Sequence, residues 1–301
     1  MKQDFKWGVN GHNFHYPAYP AEKLDDQLRY ASELGMGYYR INYSPRTEKD
    51  FEYLDRLIET ADKYSLKIFL VIFDMNLHNK SHEEDLYTFS YNIAKRYKGR
   101  IPMYQISNEQ DIPALDLVNL KDPIGNKREH YDLNKYSLIR DNMRAIIKGI
   151  KDADSEAETV VNFSWRHSFF LDMLLEDGLM WDSTALDWYS DLYDGNLAPT
   201  MQHVLTYPQK NFYVAEGNTW EGDYRFTEKE QFDYVVDAMN FFYNYPNEKV
   251  KGYMIYQLLD EPDKEKGEAH FGLMLNDIIG NIGRKKSAYF GVAEYIISKS
   301  H

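Results

Sequence analysis

The sequence contains no cysteine, and that absence removes several kinds of chemistry. Disulfide bonds, thiolate nucleophiles and thiolate metal ligands are all excluded. Disulfide-free chains occur in the cytosol and among exported proteins, so cysteine usage does not choose a compartment. The first predicted strand begins at Phe5, which leaves no charged leader followed by an apolar run. We therefore expect a protein that is either cytoplasmic or exported with its signal removed.

Motifs for nucleotide binding, zinc-dependent hydrolysis and serine nucleophiles are also missing. The chain has no G-x-G-x-x-G after a strand, no G-x-x-x-x-G-K-[ST], no H-E-x-x-H and no G-x-S-x-G. Two acidic segments, residues 82–84 and 260–263, are better interpreted as a solvated helix start and a charged loop than as metal sites. The sequence thus predicts neither a cofactor nor a bound metal.

Basic residues are in deficit, with 35 Lys and Arg against 48 Asp and Glu, for a net charge of −13. An acidic surface of this size repels phosphate backbones and anionic lipid headgroups unless basic residues cluster locally. Lys285 and Lys286 form only a short basic cluster. No segment has the length and apolarity of a membrane span. We expect a monomer that binds neither nucleic acid nor membrane.

Tyrosine is abundant, with 26 residues in a chain of 301. A tyrosine ring has an apolar face and a polar tip, which suits stacking and hydrogen bonding to sugars. Packing of barrel helices is an equally good explanation for any single tyrosine. Apolar residues make up 43% of the chain and charged residues 28%, the composition of an ordinary globular domain.

Eight short apolar runs alternate with amphipathic segments, a pattern typical of repeated βα units. The predicted strands are Phe5–Asn10, Tyr38–Tyr43, Lys67–Phe73, Met103–Ser107, Thr159–Ser164, Ala185–Tyr189, Phe212–Ala215 and Gly252–Gln257. The predicted helices are Ala21–Leu34, Lys49–Tyr64, Ser81–Tyr97, Leu133–Ala153, Ser168–Asp177 and Thr227–Tyr243, with a closing helix near Ser287–Ser298. The sequence therefore predicts a single (β/α)8-barrel domain over residues 1–301.

Local signals add detail to this prediction. Ser81 with Glu84, and Thr227 with Glu230, have the spacing of capping boxes at helix starts. The long stretch Asp111–His130 follows the fourth strand, and we expect it to form a wall of the substrate site.

Two carboxylates stand where apolar strands end. Glu109 follows the fourth strand and Glu216 the seventh. Reacting groups of a barrel lie at the carboxyl ends of its strands, and the fourth and seventh strands lie on opposite sides of the mouth. Two opposed carboxylates, one protonated and one ionised, are the machinery of glycoside hydrolysis. We expect them about 5 to 5.5 Å apart, the separation that implies retention.

The pair Asn108-Glu109 and the later Glu216 resemble the signature of the clan A glycoside hydrolases, the 4/7 superfamily, which includes cellulases and xylosidases. The resemblance spans nearly the whole chain. It implies that Glu109 is the acid/base and Glu216 the nucleophile of a double displacement, and that Asn108 hydrogen-bonds the sugar 2-hydroxyl. It also implies that Arg40 and Tyr189 contact the nucleophile, with a surface arginine and a core tyrosine as the competing interpretations.

The eighth strand departs from this pattern, because Met254-Ile255-Tyr256-Gln257 lacks the tryptophan that many clan members use as a sugar platform. Other aromatic and polar residues near strand ends can replace it, although each can equally be structural. The predicted substrate contacts are therefore Trp165, Trp220, His15, His78, Gln257 and His270.

The sequence as a whole predicts a retaining glycoside hydrolase that cleaves β-linkages within a polysaccharide or oligosaccharide, with endo action. A catalytically silent carbohydrate-binding barrel is the alternative, although such a protein has no need of both carboxylates. An aldolase or isomerase on the same barrel would require a strand-end lysine or a phosphate site, and the sequence has neither.

Overall fold

The computed structural model describes residues 4–72 and 77–299. The eight main strands are β1 (Lys6–Gly11), β2 (Tyr38–Asn42), β3 (Lys67–Ile72), β4 (Met103–Ile106), β5 (Glu158–Ser164), β6 (Ser183–Trp188), β7 (Asn211–Gly217) and β8 (Val250–Ile255). They neighbour one another in chain order and close into a barrel. β1 is parallel to β2 and β8, and β5 is parallel to β4 and β6. The predicted (β/α)8 barrel is confirmed.

Helices separate the strands, as the alternating pattern predicts. They are α1 (Leu24–Glu33), α2 (Glu48–Lys63), α3 (Glu83–Arg96), α4 (Asp111–Ala114), α5 (Leu133–Ala153), α6 (Phe169–Glu176), α7 (Leu197–Val204), α8 (Glu228–Tyr243) and α9 (Ser287–Lys299). Short 3-10 turns occupy Ala21–Lys23, Arg128–His130 and Lys266–His270, and a hairpin joins β9 (Met274–Asn276) to β10 (Ile282–Lys285). No helix within the described ranges is long and apolar enough to cross a membrane.

Of the two predicted capping boxes, one is confirmed and one is wrong. Thr227 and Glu230 form the predicted capping box at the start of α8. The Ser81 capping box is wrong, because α3 begins at Glu83 and the Ser81 hydroxyl donates to the Glu83 carboxylate at 2.9 Å. Thr47 and Asp50 form a capping box at the start of α2 that the sequence analysis missed.

Several elements were not predicted. α7 carries Pro199 in its first turn, where a proline is tolerated but looks like a helix breaker in sequence. α4 lies in the stretch Asp111–His130, which was predicted to be irregular, and the sequence analysis assigned no element to the β9–β10 hairpin. The predicted third strand ends at Phe73, which is outside the described residues. Glu216 lies inside β7 rather than beyond it, because the strand runs two residues past its predicted end at Ala215.

The chain divides into two compact units. Unit 1 holds residues 4–69, 188–191 and 213–299, and it contains β1, β2 and β8 with α1, α2, α8 and α9. Its helices bury one face each; α1, for example, buries Leu24, Leu28 and Ala31 at spacings of three and four. The expectation of one functional domain stays a prediction.

Unit 2 holds residues 70–72, 77–187 and 192–212, with β4, β5 and β6 covered by helices that include α3 and α5. α3 and α5 approach closely at Gly149. A Cβ there would lie 2.2 Å from the Ser90 hydroxyl and 2.5 Å from the Tyr87 carbonyl oxygen. Only glycine allows this contact between the two helices.

Candidate active site

Glu216 is a buried carboxylate in unit 1, with 6% of its surface exposed. Arg40 Nη1, from β2, donates to Glu216 Oε1 at 2.7 Å. The Tyr189 hydroxyl donates to Glu216 Oε2 at 2.6 Å. A guanidinium and a phenol on separate oxygens stabilise the negative charge and fix the direction of the carboxylate. Arg40 and Tyr189 thus lie where the resemblance expects them, against Glu216.

Asn10 supports this arrangement and was missed in the sequence. Its Oδ1 accepts from Arg40 Nη1 at 2.6 Å. Its Nδ2 donates to the carbonyl oxygens of Ala215 and Ile255 at 2.9 and 3.2 Å. Asn10 therefore holds Arg40 and also the backbone that leads into Glu216. An amide within the apolar run Trp7-Gly8-Val9-Asn10 was the signal that could have identified it.

Glu109, in unit 2, has a different environment. Glu109 and Asn108 are both half-buried. The backbone N–H of Glu109 donates to Asn162 Oδ1 at 3.1 Å. Ser107 and Glu109 have φ values of 61° and 46°, in the left-handed region that non-glycine residues rarely occupy. Backbone strain of this kind is maintained where the surroundings fix the chain, and it clusters at functional sites.

The Asn108 amide is oriented by its neighbours. Asn108 Oδ1 accepts from Gln105 Nε2 at 2.9 Å and from Asn162 Nδ2 at 3.0 Å. Asn162 Nδ2 also donates to Asp187 Oδ2 at 2.6 Å. Asn162 and Asp187 were missed in the sequence, although each interrupts an apolar strand, in β5 and β6. With its oxygen satisfied by two donors, the amide presents its N–H groups in one fixed direction.

A second polar network in unit 1 centres on Glu261, which is 1% exposed. His12 Nε2 lies 3.3 Å from Glu261 Oε2, and Gln257 Nε2 donates to the same oxygen at 2.8 Å. Burial raises the pKa of Glu261, but the hydrogen bonds from His12 and Gln257 and the charge of His12 outweigh it, so its pKa falls below the usual value. The His12 ring stacks on Tyr16 with centroids 4.3 Å apart.

Residues 260–263 were interpreted as a charged loop, and the structure corrects this for Asp260 and Glu261, which are buried, while Pro262 and Asp263 are exposed. Asp260 is buried together with Lys286, which donates to Asp260 Oδ1 at 2.8 Å and lies 3.1 Å from Asp223 Oδ2. Burial raises the pKa of Asp260 to about 6 against the opposing charge of Lys286. Lys286 is fully buried and so is not part of a surface basic cluster. Sequence alone could not reveal these pairings, because they join segments far apart in the chain.

The other predicted substrate contacts are distributed widely. His270 is half-buried, with its Nδ1 3.0 Å from Asp223 Oδ1. Trp165 is half-buried at the end of β5, and Trp220 is 55% exposed beneath the Arg225 guanidinium. The His15 side chain is 61% exposed, and its Nε2 lies 3.8 Å from Asp50 Oδ1.

Two further predicted substrate contacts, Gln257 and His78, are partly or fully buried. Gln257 is fully buried, and its amide contacts Glu261 and the Tyr19 hydroxyl. A buried amide must satisfy its own hydrogen bonds, which explains this position. His78 is half-buried, and its Nδ1 has no partner among the described residues. Among all residues that the structure describes, no three His, Asp or Glu side chains are grouped so that they could hold a metal ion.

No protein-family model matches the sequence, and no curated protein matches it significantly. Solved structures do match. A β-glucosidase from Thermotoga maritima in complex with glucoimidazole has a TM-score of 0.73 at 13% identity, covering 98% of this chain and 100% of that one. The AHE enzyme from Alicyclobacillus herbarius has a TM-score of 0.72 at 12% identity, covering 99% and 97%.

A third match is the virulence factor SghA in complex with its substrate analog salicin. Its TM-score is 0.70 at 13% identity, with coverage of 98% of this chain and 96% of that one. At these identities the likeness establishes the fold: the chain is similar in architecture, over nearly its full length, to (β/α)8-barrel β-glucosidases.

Proposed function

We propose that the protein is a retaining β-glycosidase in which Glu216 is the nucleophile and Glu109 the general acid/base. The observation that carries the proposal is the environment of Glu216. Its two carboxylate oxygens accept hydrogen bonds from Arg40 and Tyr189 in a buried setting. A nucleophilic carboxylate must be aimed at the anomeric carbon, and hydrogen bonds from these two donors fix the direction of Glu216.

The proposed reaction has two steps. In the first, a Glu216 oxygen bonds to the anomeric carbon while the bond to the leaving oxygen breaks and Glu109 gives that oxygen its proton. In the second, Glu109 takes a proton from water, the water oxygen bonds to the anomeric carbon, and Glu216 is released. Two inversions give net retention.

The surroundings of Glu109 support its role. A general acid/base exchanges protons with water between steps, and the half-buried Glu109 side chain is consistent with that exchange. The neighbouring Asn108 amide is oriented by Gln105 and Asn162. The resemblance implies that this amide donates to the sugar 2-hydroxyl. Such a bond strengthens in the transition state.

The substrate class follows from the fold and the resemblance together. Clan A enzymes mostly cleave β-linkages, and the similar solved structures include β-glucosidases. We therefore propose a β-linked oligosaccharide or polysaccharide as substrate and place β-glucosides first among the candidates. Endo action and a monomeric state remain predictions. So do contacts with sugar by Trp165, Trp220, His15, His78, Gln257 and His270.

The decisive experiment is a hydrolysis screen of the wild type and Glu216→Gln against β-linked polysaccharides and aryl β-glycosides, with sizing of the products. Release of sugar by the wild type alone supports the proposal, and short internal fragments support endo action. Proton NMR of the first anomer released tests retention. Silence of the wild type across the panel would favour the non-catalytic carbohydrate-binding alternative.

A further inference from the structure

Two buried side chains near Glu109, those of Asp111 and His167, form a pair that has no part in the two reaction steps. Asp111 comes two residues after Glu109 and is fully buried, and His167 is 8% exposed. His167 Nδ1 lies 2.7 Å from Asp111 Oδ2. A carboxylate only accepts hydrogen bonds, so the Nδ1–H of His167 is the donor. Polar groups are buried at a cost unless they are paired, so the position of each side chain depends on the other.

The pair joins the loop after β4 to the turn after β5. Asp111 Oδ2 also accepts from the backbone N–H of Ser164, the last residue of β5, at 3.2 Å. The His167 N–H donates to the Ser164 carbonyl oxygen at 3.1 Å. One carboxylate oxygen thus contacts both the backbone and a side chain of the β5 turn.

The backbone at this junction is strained on both sides. The φ angle is 61° at Ser107 and 46° at Glu109 in the first loop, and 49° at Trp165 in the second. Left-handed conformations of this kind persist only where the surroundings hold the chain. Asn162 accepts from the Glu109 N–H on one side of Glu109, and Asp111 is bound to the β5 turn on the other. The segment that carries Glu109 is therefore fixed from both ends.

The long loop after β4 encloses His167 from another direction. A Cβ at Gly125 would lie 2.5 Å from His167 Cδ2, so this loop packs directly against the ring. The Tyr131 hydroxyl donates to the carbonyl oxygens of Gly125 and His167 at 2.7 and 3.0 Å. The ring is thus held between the loop and Asp111.

We propose that Asp111 and His167 are positioning residues for the acid/base: the pair fixes the backbone that carries Glu109, and proton transfer to the leaving oxygen depends on it. The inference rests on the proposed glycosidase function and deepens it. A misplacement of about 1 Å can reduce a rate about 10²-fold. Loss of the pair should therefore impair substrates whose leaving group needs a proton more than substrates whose leaving group does not. A pair that served only the stability of the fold would affect all substrates alike.

His167→Leu and His167→Asn are the two informative variants. An asparagine amide can place an N–H where the Nδ1–H of His167 lies and so restore the bond to Asp111, whereas leucine cannot. On a series of aryl β-glycosides, we expect kcat/KM of His167→Leu to fall about 10 to 10²-fold for basic leaving groups. For the most acidic phenols the fall should be about threefold or less. His167→Asn should recover most of the loss.

His203→Leu is the matched control, because it removes an exposed histidine of unit 2 that also pairs with an aspartate, Asp172. It should leave kcat/KM unchanged for every leaving group. Thermal unfolding establishes that each variant is folded. If His167→Leu does not fold, Asp111→Asn/His167→Leu replaces it, since the amide still accepts from the Ser164 N–H and leaves no buried charge unpaired.

Hydrogen–deuterium exchange measures the positioning itself and needs no turnover. Mass spectrometry follows peptides that cover residues 107–112 and 162–167. In His167→Leu we expect both segments to exchange about tenfold faster or more, the factor that corresponds to one charge-assisted hydrogen bond. His167→Asn and His203→Leu should exchange like the wild type in both segments.

Two outcomes overturn the proposal. One is unchanged exchange of residues 107–112 in a folded His167→Leu variant, whether or not the protein hydrolyses sugars. The other is a loss of kcat/KM that is the same for every leaving group. Faster exchange in both segments of a protein that hydrolyses no glycoside would support the link between the two loops and contradict the glycosidase function.

Discussion

The two candidate catalytic carboxylates differ in burial and in the contacts around them. Glu216 is buried, and protein donors contact both of its carboxylate oxygens. Glu109 is half-buried, and the hydrogen bond that fixes it to Asn162 comes from its backbone. The first arrangement fixes the direction of the Glu216 carboxylate, and the second fixes the backbone from which the Glu109 side chain extends.

The difference corresponds to what the two roles require. A nucleophile keeps one protonation state until it attacks, so permanent donors such as Arg40 and Tyr189 help it. An acid/base changes its protonation state twice in each cycle, and a permanent cation on its carboxylate would hold it ionised. In unit 2 the Asn162 amide accepts from the Glu109 backbone and donates to Asn108, the residue before Glu109.

The largest effect should come from Glu216→Gln, which removes the nucleophile. We expect kcat to fall about 10⁴-fold or more on every substrate, since no other group can form the covalent intermediate. Steady-state kinetics on an aryl β-glycoside and a polymer measure the loss. The change also leaves the Arg40 charge buried without its carboxylate, so thermal unfolding must establish that the variant is folded. More than about one per cent residual turnover by a folded variant would exclude Glu216 as nucleophile.

Glu109→Gln tests the acid/base role, because the size of the rate loss should depend on how much the leaving group needs a proton. On polymers, whose leaving oxygen needs a proton, we expect a loss of about 10² to 10⁴-fold. On aryl glycosides with an acidic phenol the glycosylation step should lose much less, because the phenolate leaves without assistance. Pre-steady-state kinetics of phenol release isolates that step. An equal loss on both substrate classes would contradict the acid/base assignment.

The sequence predicted much of this molecule because its signals are local. Strand β5 and helix α5 carry apolar periodicity that depends on nearby residues, and α5 was predicted with its observed ends. Glu109 and Glu216 were selected as candidates because each follows or ends an apolar run. The short helix α7 was missed because Pro199 masks its periodicity.

The supporting residues could not be predicted in the same way. Asn10, Asn162 and Asp187 act through hydrogen bonds to residues distant in sequence, so only their polarity within a strand was visible. Lys286 and Asp260 look like ordinary surface charges until tertiary packing buries them as a pair. Contacts between residues that are distant in the chain are therefore the hardest feature of a charged residue to predict from a single sequence.

The unit that contains Glu216 also contains the buried ion pair of Asp260 and Lys286, and this pair should make the stability of the fold depend on pH. The raised pKa of about 6 means that the folded protein holds the proton over a range in which the unfolded chain has lost it. Asp260 therefore stabilises the fold below pH 4 relative to pH 7, and this contribution is lost as pH rises through 4 to 6. At 1.36 kcal/mol per pKa unit the loss is about 3 kcal/mol. Urea unfolding of wild type and Asp260→Asn from pH 4 to 7 measures it; a constant difference between them would contradict the shift.

Tyr189→Phe should give the smallest effect and the finest test of the comparison. It removes one hydrogen bond to Glu216 Oε2 and leaves Arg40 in place, so we expect kcat/KM to fall about tenfold. Because the nucleophile acts on every substrate, the loss should be the same for aryl glycosides and polymers. Tyr234→Phe is the matched control, since its hydroxyl donates to the Ser190 carbonyl oxygen in the same unit. A Tyr189 effect that depended on the leaving group would mean that this hydroxyl serves the proton transfer, and the separation of the two roles would then fail.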